Sequence, residues 1–120
     1  MTRGRFNHKD EPLIEVTLLG KRRRAIEAVI DTGFSGDLCL SSRFRRSLQL
    51  VRYGSSEFEL ADGTRVVEPV YGARILFDGK QVAVLVTLTS SEDSLVGTGL
   101  LEDKELRLNF RKRTVNLRHG

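Results

Sequence analysis

"AVIDTGFSGDLCL", residues 28–40, decides how the rest of the chain is read. Ala28, Val29 and Ile30 lead into Asp31-Thr32-Gly33, and a second apolar run, Leu38-Cys39-Leu40, follows. A carboxylate at the end of an apolar strand is costly unless hydrogen bonds or a shared proton compensate for its burial. Gly33 lets backbone amides approach that carboxylate, and the Thr32 hydroxyl can lock the loop. Two readings stand side by side. Asp31 either caps its own amides in a β-turn, or lies at the floor of an active site.

Outward from this stretch the pattern has period two. Ile14, Val16 and Leu18 alternate with Glu15 and Thr17 and end at Gly20, so residues 24–30 read as the return strand of a hairpin. Residues 38–41 resume an extended pattern, and "SSRFRRSLQL" at 41–50 reads as one helical turn followed by strand. Two Asp-Gly pairs mark tight turns. Asp62-Gly63 joins 57–60 to 65–70, and Asp78-Gly79 joins 71–77 to a long β-branched run, 80–89, expected to be a central strand. "TSSED" at 89–93 is a loop, and "GTGLLEDKEL" at 97–106 is the one helix candidate. Leu106, Leu108 and Phe110 alternate again before a last strand at 114–117. Many short strands, hairpin turns and one late helix predict an all-β protein, a small closed β-barrel or sandwich with one short C-terminal helix.

Composition limits the function. A chain of 120 residues, 39% apolar and 30% charged, fits one domain spanning 1–120 with one ordinary core. The longest nearly apolar run, 82–88, is too short for a membrane span. "MTRGRFNHKDEP" lacks the apolar centre of a signal peptide, and the single cysteine, Cys39, suits a reducing compartment, so a cytoplasmic location is expected. The net charge of +4 is gathered in "KRRR" at 21–24, "RFRR" at 43–46 and "RKR" at 111–113. No aromatic residues interleave with these clusters in a stacking pattern, so nucleic acid is not the expected partner.

Elimination narrows the chemistry to carboxylates. His8 and His119, the only histidines, lie near termini expected to fray, which leaves Ser35 and Cys39 without a base. With one cysteine and two terminal histidines a zinc site is not expected. Phosphate-cradling glycine motifs do not occur. No metal and no cofactor is expected.

Taken together, "PLIEVTLLGKRRRAIEAVIDTGFSGDLCL", "LADGTRVV" at 60–67 and "LVGTGLLEDKELRLNF" at 95–110 resemble the retropepsin-like aspartic proteases. The order and spacing of these three landmarks cover nearly the whole chain, and "DTGFSG" looks most like the single-domain prokaryotic members. The resemblance implies a barrel of the acidic-protease type and makes Asp31 the catalytic aspartate. It implies that Thr32 bonds across a subunit boundary and that Gly33 contacts substrate through its backbone. Phe34, Ser35 and Gly36 would border the substrate. Ala61, Asp62, Gly63 and Thr64 would form a flap tip closing over a peptide, and Val96 and Gly97 would back the catalytic loop. One triplet supplies one aspartate where the chemistry needs two, so the resemblance implies a homodimer with the cleft on its twofold axis. Phe34 stands where the family usually has a small or hydroxylic residue. Ser35 and Thr98 replace an aspartate and an arginine that pair in the retroviral members.

The function implied is an aspartic endopeptidase acting on peptide or protein substrates. Two further classes remain open at this point: a non-catalytic dimeric β-barrel that binds extended peptides by strand addition, and a basic nucleic-acid-binding β-barrel. Among the remaining residues, Asp37 is expected to cap a turn, and Cys39 to pack as a small hydrophobe.

Overall fold

Strand alternation governs nearly every element of the computed structural model, which describes residues 1–120 apart from the side chain of Phe58. In β2 (Pro12–Leu19) Ile14, Val16 and Leu18 are buried while Glu15 is exposed. The next strand, β3 (Arg23–Ile30), returns antiparallel with Val16 opposite Ile26 and Leu13 opposite Val29. After the Asp31 loop come β4 (Leu38–Ser41) and a short 3₁₀ helix, Ser42–Ser47, that buries Phe44. A long hairpin, β5 (Val51–Glu59) and β6 (Arg65–Phe77), is followed by β7 (Lys80–Thr89) and β8 (Leu95–Val96). A single helical turn, α1 (Thr98–Leu101), precedes β9 (Lys104–Asn109) and β10 (Thr114–His119).

With β1 (Thr2–Phe6), the strands form one sheet in the order β5-β6-β7-β4-β8-β3-β2-β1-β10-β9. A further pairing of β2 with β6, Thr17 opposite Leu76 and Leu18 opposite Ile75, ties distant parts of that order together. The architecture is mostly β with little helix. Val16, Leu38, Ile75, Val86, Val96 and Leu117, each from a different strand, are 0% exposed and help fill the interior. Burying each contributes roughly 1.5–3 kcal/mol. Among the described residues, no helix is long and apolar enough to cross a membrane.

Three elements differ from the expectations. The polar N-terminus is not frayed, because β1 lies between β2 and β10, with Arg5 opposite Leu13 and Gly4 opposite Val115. Arg3 and Arg5 point outward and Phe6 inward, so two arginines mask an alternating strand. The expected helix over 97–106 is confined to Thr98–Leu101, and Lys104–Leu106 is strand, because Leu106 continues the alternation that pairs β9 with β10. Residues 65–70 and 71–77 form one strand rather than two, since its pairings with β5 and with β7 overlap at Tyr71 and Gly72. The run 80–89 is central as expected, hydrogen-bonded to β6 on one side and β4 on the other.

Candidate active site

Asp31 opens a loop whose two ends are held by β8. That short strand runs parallel to β3, with Ile30 opposite Val96, and antiparallel to β4, with Leu38 opposite Val96. The Asp31 N–H donates to the Val96 carbonyl oxygen at 2.9 Å, and the Phe34 N–H closes a turn on the Asp31 carbonyl at 3.1 Å. The Gly33 N–H donates to Asp31 Oδ1 at 2.9 Å. The self-capping turn is therefore present, and it aims the carboxylate. Asp31 is half-buried, while Thr32, Gly33 and Ser35 beside it are exposed.

The far side of the loop is fixed by α1. Thr98 N–H donates to the Phe34 carbonyl (2.8 Å), Gly99 N–H to that of Gly36 (3.0 Å), and Gly97 N–H to that of Asp37 (3.0 Å). Gly97 is the point of closest approach. A Cβ there would overlap the Gly36 carbonyl oxygen and lie 2.6 Å from the Phe34 ring and carbonyl oxygen, so no larger residue fits without moving the loop. The Phe34 ring folds over this glycine floor, its Cζ 2.5 Å from where a Gly36 Cβ would stand. Thr32 and Ser35 face the other way. With Thr98, Gly99, Leu101 and Leu106 they border an open hollow of about 550 Å³ next to β9.

The tip of the β5–β6 hairpin is exposed at Ala61, Asp62, Gly63 and Thr64. It is a self-contained turn: Leu60 N–H donates to the Thr64 carbonyl at 2.7 Å and Gly63 N–H to the Leu60 carbonyl at 2.9 Å. Thr64 N–H donates to Asp62 Oδ1 at 2.9 Å. Hydrogen bonds from the Thr64 side chain and backbone hold the Asp62 carboxyl below its ordinary range. Asp31, Gly33, Phe34, Gly36, Val96 and Gly97 are thus brought together. Among the described residues, no hydrogen bond or ion pair joins the hairpin tip to the Asp31 loop.

Three contributors escaped the sequence reading. Asp37 does not cap a local turn; its Oδ2 accepts the Leu85 N–H at 2.9 Å and fastens the loop to β7. Gly99 lets α1 approach, because a Cβ there would strike the Asp37 carboxylate. Ser94, 2% exposed, accepts the Ser41 N–H on its Oγ at 2.9 Å and gives its carbonyl to Val29 N–H at 2.8 Å, joining β3 to β4 behind the loop. Only Gly99 left a sequence signal, the small residues in "VGTG".

No family model matches the chain. No curated protein matches it in sequence either. Solved structures do. The crystal structure of a retropepsin-like aspartic protease from Rickettsia conorii superposes with a TM-score of 0.68 at 18% identity, over 96% of this chain and 87% of that one. The chain has the retropepsin-like fold. The chain also superposes on the simian foamy virus (mac) protease, with a TM-score of 0.58 and 16% identity over 75% of this chain and 91% of that one. The EIAV protease complexed with the inhibitor HBY-793 gives 0.60 and 17% over 82% and 91%. At these identities the likeness is one of fold.

Proposed function

We propose that the chain is an aspartic endopeptidase, a single domain over 1–120 that supplies half of an active site and works as a homodimer. The observation that carries this reading is the Asp31 turn. Its carboxylate accepts the Gly33 N–H on Oδ1, its backbone is held by Val96, and it opens onto a solvent-facing surface at Thr32 and Ser35. Support also comes from the retropepsin-like fold, and in this reading the pairing of β2 with β6 would close the strands into a small barrel.

In this reading two copies of Asp31 meet across a twofold axis. Two adjacent carboxylates cannot both ionise cheaply, so the pair shares one proton, as aspartic-protease dyads generally do. The ionised member takes a proton from a water, whose oxygen attacks the scissile carbonyl carbon. The protonated member hydrogen-bonds the carbonyl oxygen, and collapse of the tetrahedral intermediate sends a proton to the leaving amine. The macroscopic titration belongs to the pair. Thr32 contacts the matching loop of the second copy, Gly33 to Gly36 border the peptide, and Ala61 to Thr64 close over it, with Val96 and Gly97 as the rigid backing. No metal or cofactor takes part in this scheme, and the lone thiol of Cys39 fits a reducing, cytoplasmic setting.

Asp31→Asn tests it. Cleavage of a diverse peptide library should vanish while sedimentation shows the same dimer. Cleavage that survives the substitution, or a wild-type chain that stays monomeric at tens of micromolar, overturns the reading.

A further inference from the structure

The three basic clusters of the sequence do not share one fate. The Arg113 guanidinium is paired with Asp10, whereas "KRRR" and "RFRR" converge on a single face without carboxylate partners. Gly20, at the β2–β3 turn, packs so tightly on the 3₁₀ helix that a Cβ would lie 2.6 Å from the Ser47 carbonyl oxygen. The turn and the helix are therefore docked, and Lys21, Arg22, Arg23, Arg24 and Arg46 line one hollow of about 340 Å³ with Ser47. Among the described residues, no carboxylate lines it.

Packing pre-orders the edge of this face. The Arg24 and Arg43 guanidiniums lie 4.8 and 4.5 Å from the ring centroid of buried Phe44, and Arg43 also donates to the Glu92 carbonyl at 2.9 Å. Arg45 lies 6.0 Å from the Tyr71 ring at the base of the β5–β6 hairpin, so the strip runs from the β2–β3 turn towards that hairpin. Glu27 and Asp93 border an adjoining hollow with Arg24 and Arg43, and Glu27 is already engaged by the Nε and Nη2 of Arg5. Among the described residues, none of the seven basic side chains of this strip is in an ion pair, although Arg5, Arg65, Lys104, Arg107, Arg113 and Arg118 all are.

The charge is correspondingly one-sided. The strip holds seven of the 20 Lys and Arg residues; the other 13 stand against 16 Asp and Glu, so the rest of the molecule is net negative. A long polyanion such as a nucleic-acid strand or a lipid surface would meet that repulsion beyond the strip. The one aromatic within it, Phe44, is 8% exposed and offers no face for a base to stack on. A short run of carboxylates fits better, since each guanidinium can hold one in two parallel hydrogen bonds.

We propose that this strip is an exosite for an acidic segment of the polypeptide substrate, remote from the scissile bond. The inference rests on the peptidase reading. β3 spans eight residues from the basic turn to the Asp31 loop, about 25 Å, so an extended substrate would place its acidic tract about eight residues or more from the cut.

The test is fluorescence anisotropy with a fluorescein-labelled octapeptide of alternating Asp and Glu and a Ser-Gly control of equal length. The protein is wild type, Arg22→Gln/Arg23→Gln/Arg46→Gln, or a charge control, Arg111→Gln/Lys112→Gln. Arg24 and Arg43 are left alone because they pack on Phe44. The acidic peptide should bind wild type and the charge control alike, weaken with salt, and lose about tenfold in affinity with the triple variant. Equal loss in both variants overturns the proposal, as does tighter binding of duplex DNA or phosphatidylserine vesicles through the same arginines. A cleavable peptide carrying the tract should show a raised KM and unchanged kcat with the triple variant, and one lacking the tract neither change. Cleavage indifferent to the tract refutes the exosite and spares the peptidase reading. Tract binding without any cleavage overturns the peptidase reading and the exosite with it, leaving the strip as a binding site for acidic peptides.

Discussion

Asp78→Asn should destabilise the fold far more than a one-atom change at a turn would suggest. Asp78 begins the β6–β7 turn with φ 50°, and its Oδ2 lies 3.2 Å from Lys104 Nζ at the start of β9. Its Oδ1 accepts the Thr2 hydroxyl at 2.5 Å. The Asp78 and Lys104 side chains are only 6% and 7% exposed, and the other carboxylate near Lys104, Asp103, is 3.9 Å away and 64% exposed. Asparagine tolerates positive φ and can still accept from Thr2, so the substitution isolates the charge. Removing one partner of a buried pair costs about 3–5 kcal/mol. Both side chains sit at a sheet margin, so we expect about 3 kcal/mol, a large share of the 5–15 kcal/mol typical of a domain. That corresponds to a fall in Tm on the order of 10 °C.

The assay is urea denaturation followed by far-ultraviolet circular dichroism at fixed protein concentration, the chain having no tryptophan. Asp78→Asn/Lys104→Met, which removes both charges, should recover most of the loss. Burial pushes the Asp78 carboxyl up, but the Thr2 hydrogen bond and the Lys104 ammonium together outweigh it and hold it below its ordinary value. A folded-state pKa below the unfolded one means that this stabilisation is present above about pH 4 and lost as pH falls through the folded value. The gap between wild type and Asp78→Asn should therefore close below about pH 4. A cost under about 1 kcal/mol, or a double variant no better than the sum of the singles, would show that the pair is not coupled.

Two other substitutions probe the framework of the loop. Ser94→Ala leaves the buried Ser41 N–H without an acceptor and should cost about 1–3 kcal/mol in the same denaturation experiment, with Ser94→Thr recovering part of it. Gly97→Ala places a Cβ against the Gly36 carbonyl and the Phe34 ring, so the loop must shift; amide chemical shifts over residues 31–37 should move while those of β9 and β10 stay put, and a spectrum unchanged at Gly33 would count against the close contact.

Much of the fold was legible because its strands are two-faced. Ile14, Val16 and Leu18 announce β2, and the Asp-Gly pairs place both long hairpins. β1 was hidden because Gly4 replaces a side chain at a position where a Cβ would strike the Leu13 backbone, leaving Phe6 as the sole apolar residue of its inward face. The late helix was overestimated because "LLEDKEL" suits a helix locally, and only pairing with β10 turns its second half into strand. At the candidate site Asp31 and its glycine were readable from the triplet. Asp37 and Ser94 were not, since their partners, Leu85 and Ser41, lie 48 and 53 residues away and no local pattern encodes such contacts.

The double engagement of β6 makes its far half a cantilever. From Tyr71 onward the strand is gripped by β7, and at Ile75 and Leu76 by β2 as well; ahead of Tyr71 only β5 accompanies it. The register of β5 slips between Arg52 and Gly54, opposite Tyr71 and Val70, right where the clamp ends. Any bending of the ribbon would concentrate at that line, with the six residues from Arg65 to Val70 as an arm about 20 Å long. A rotation of about 15° there would carry the Asp62-Gly63 end through about 5 Å without disturbing the pairing of Ile75 with β2 and β7.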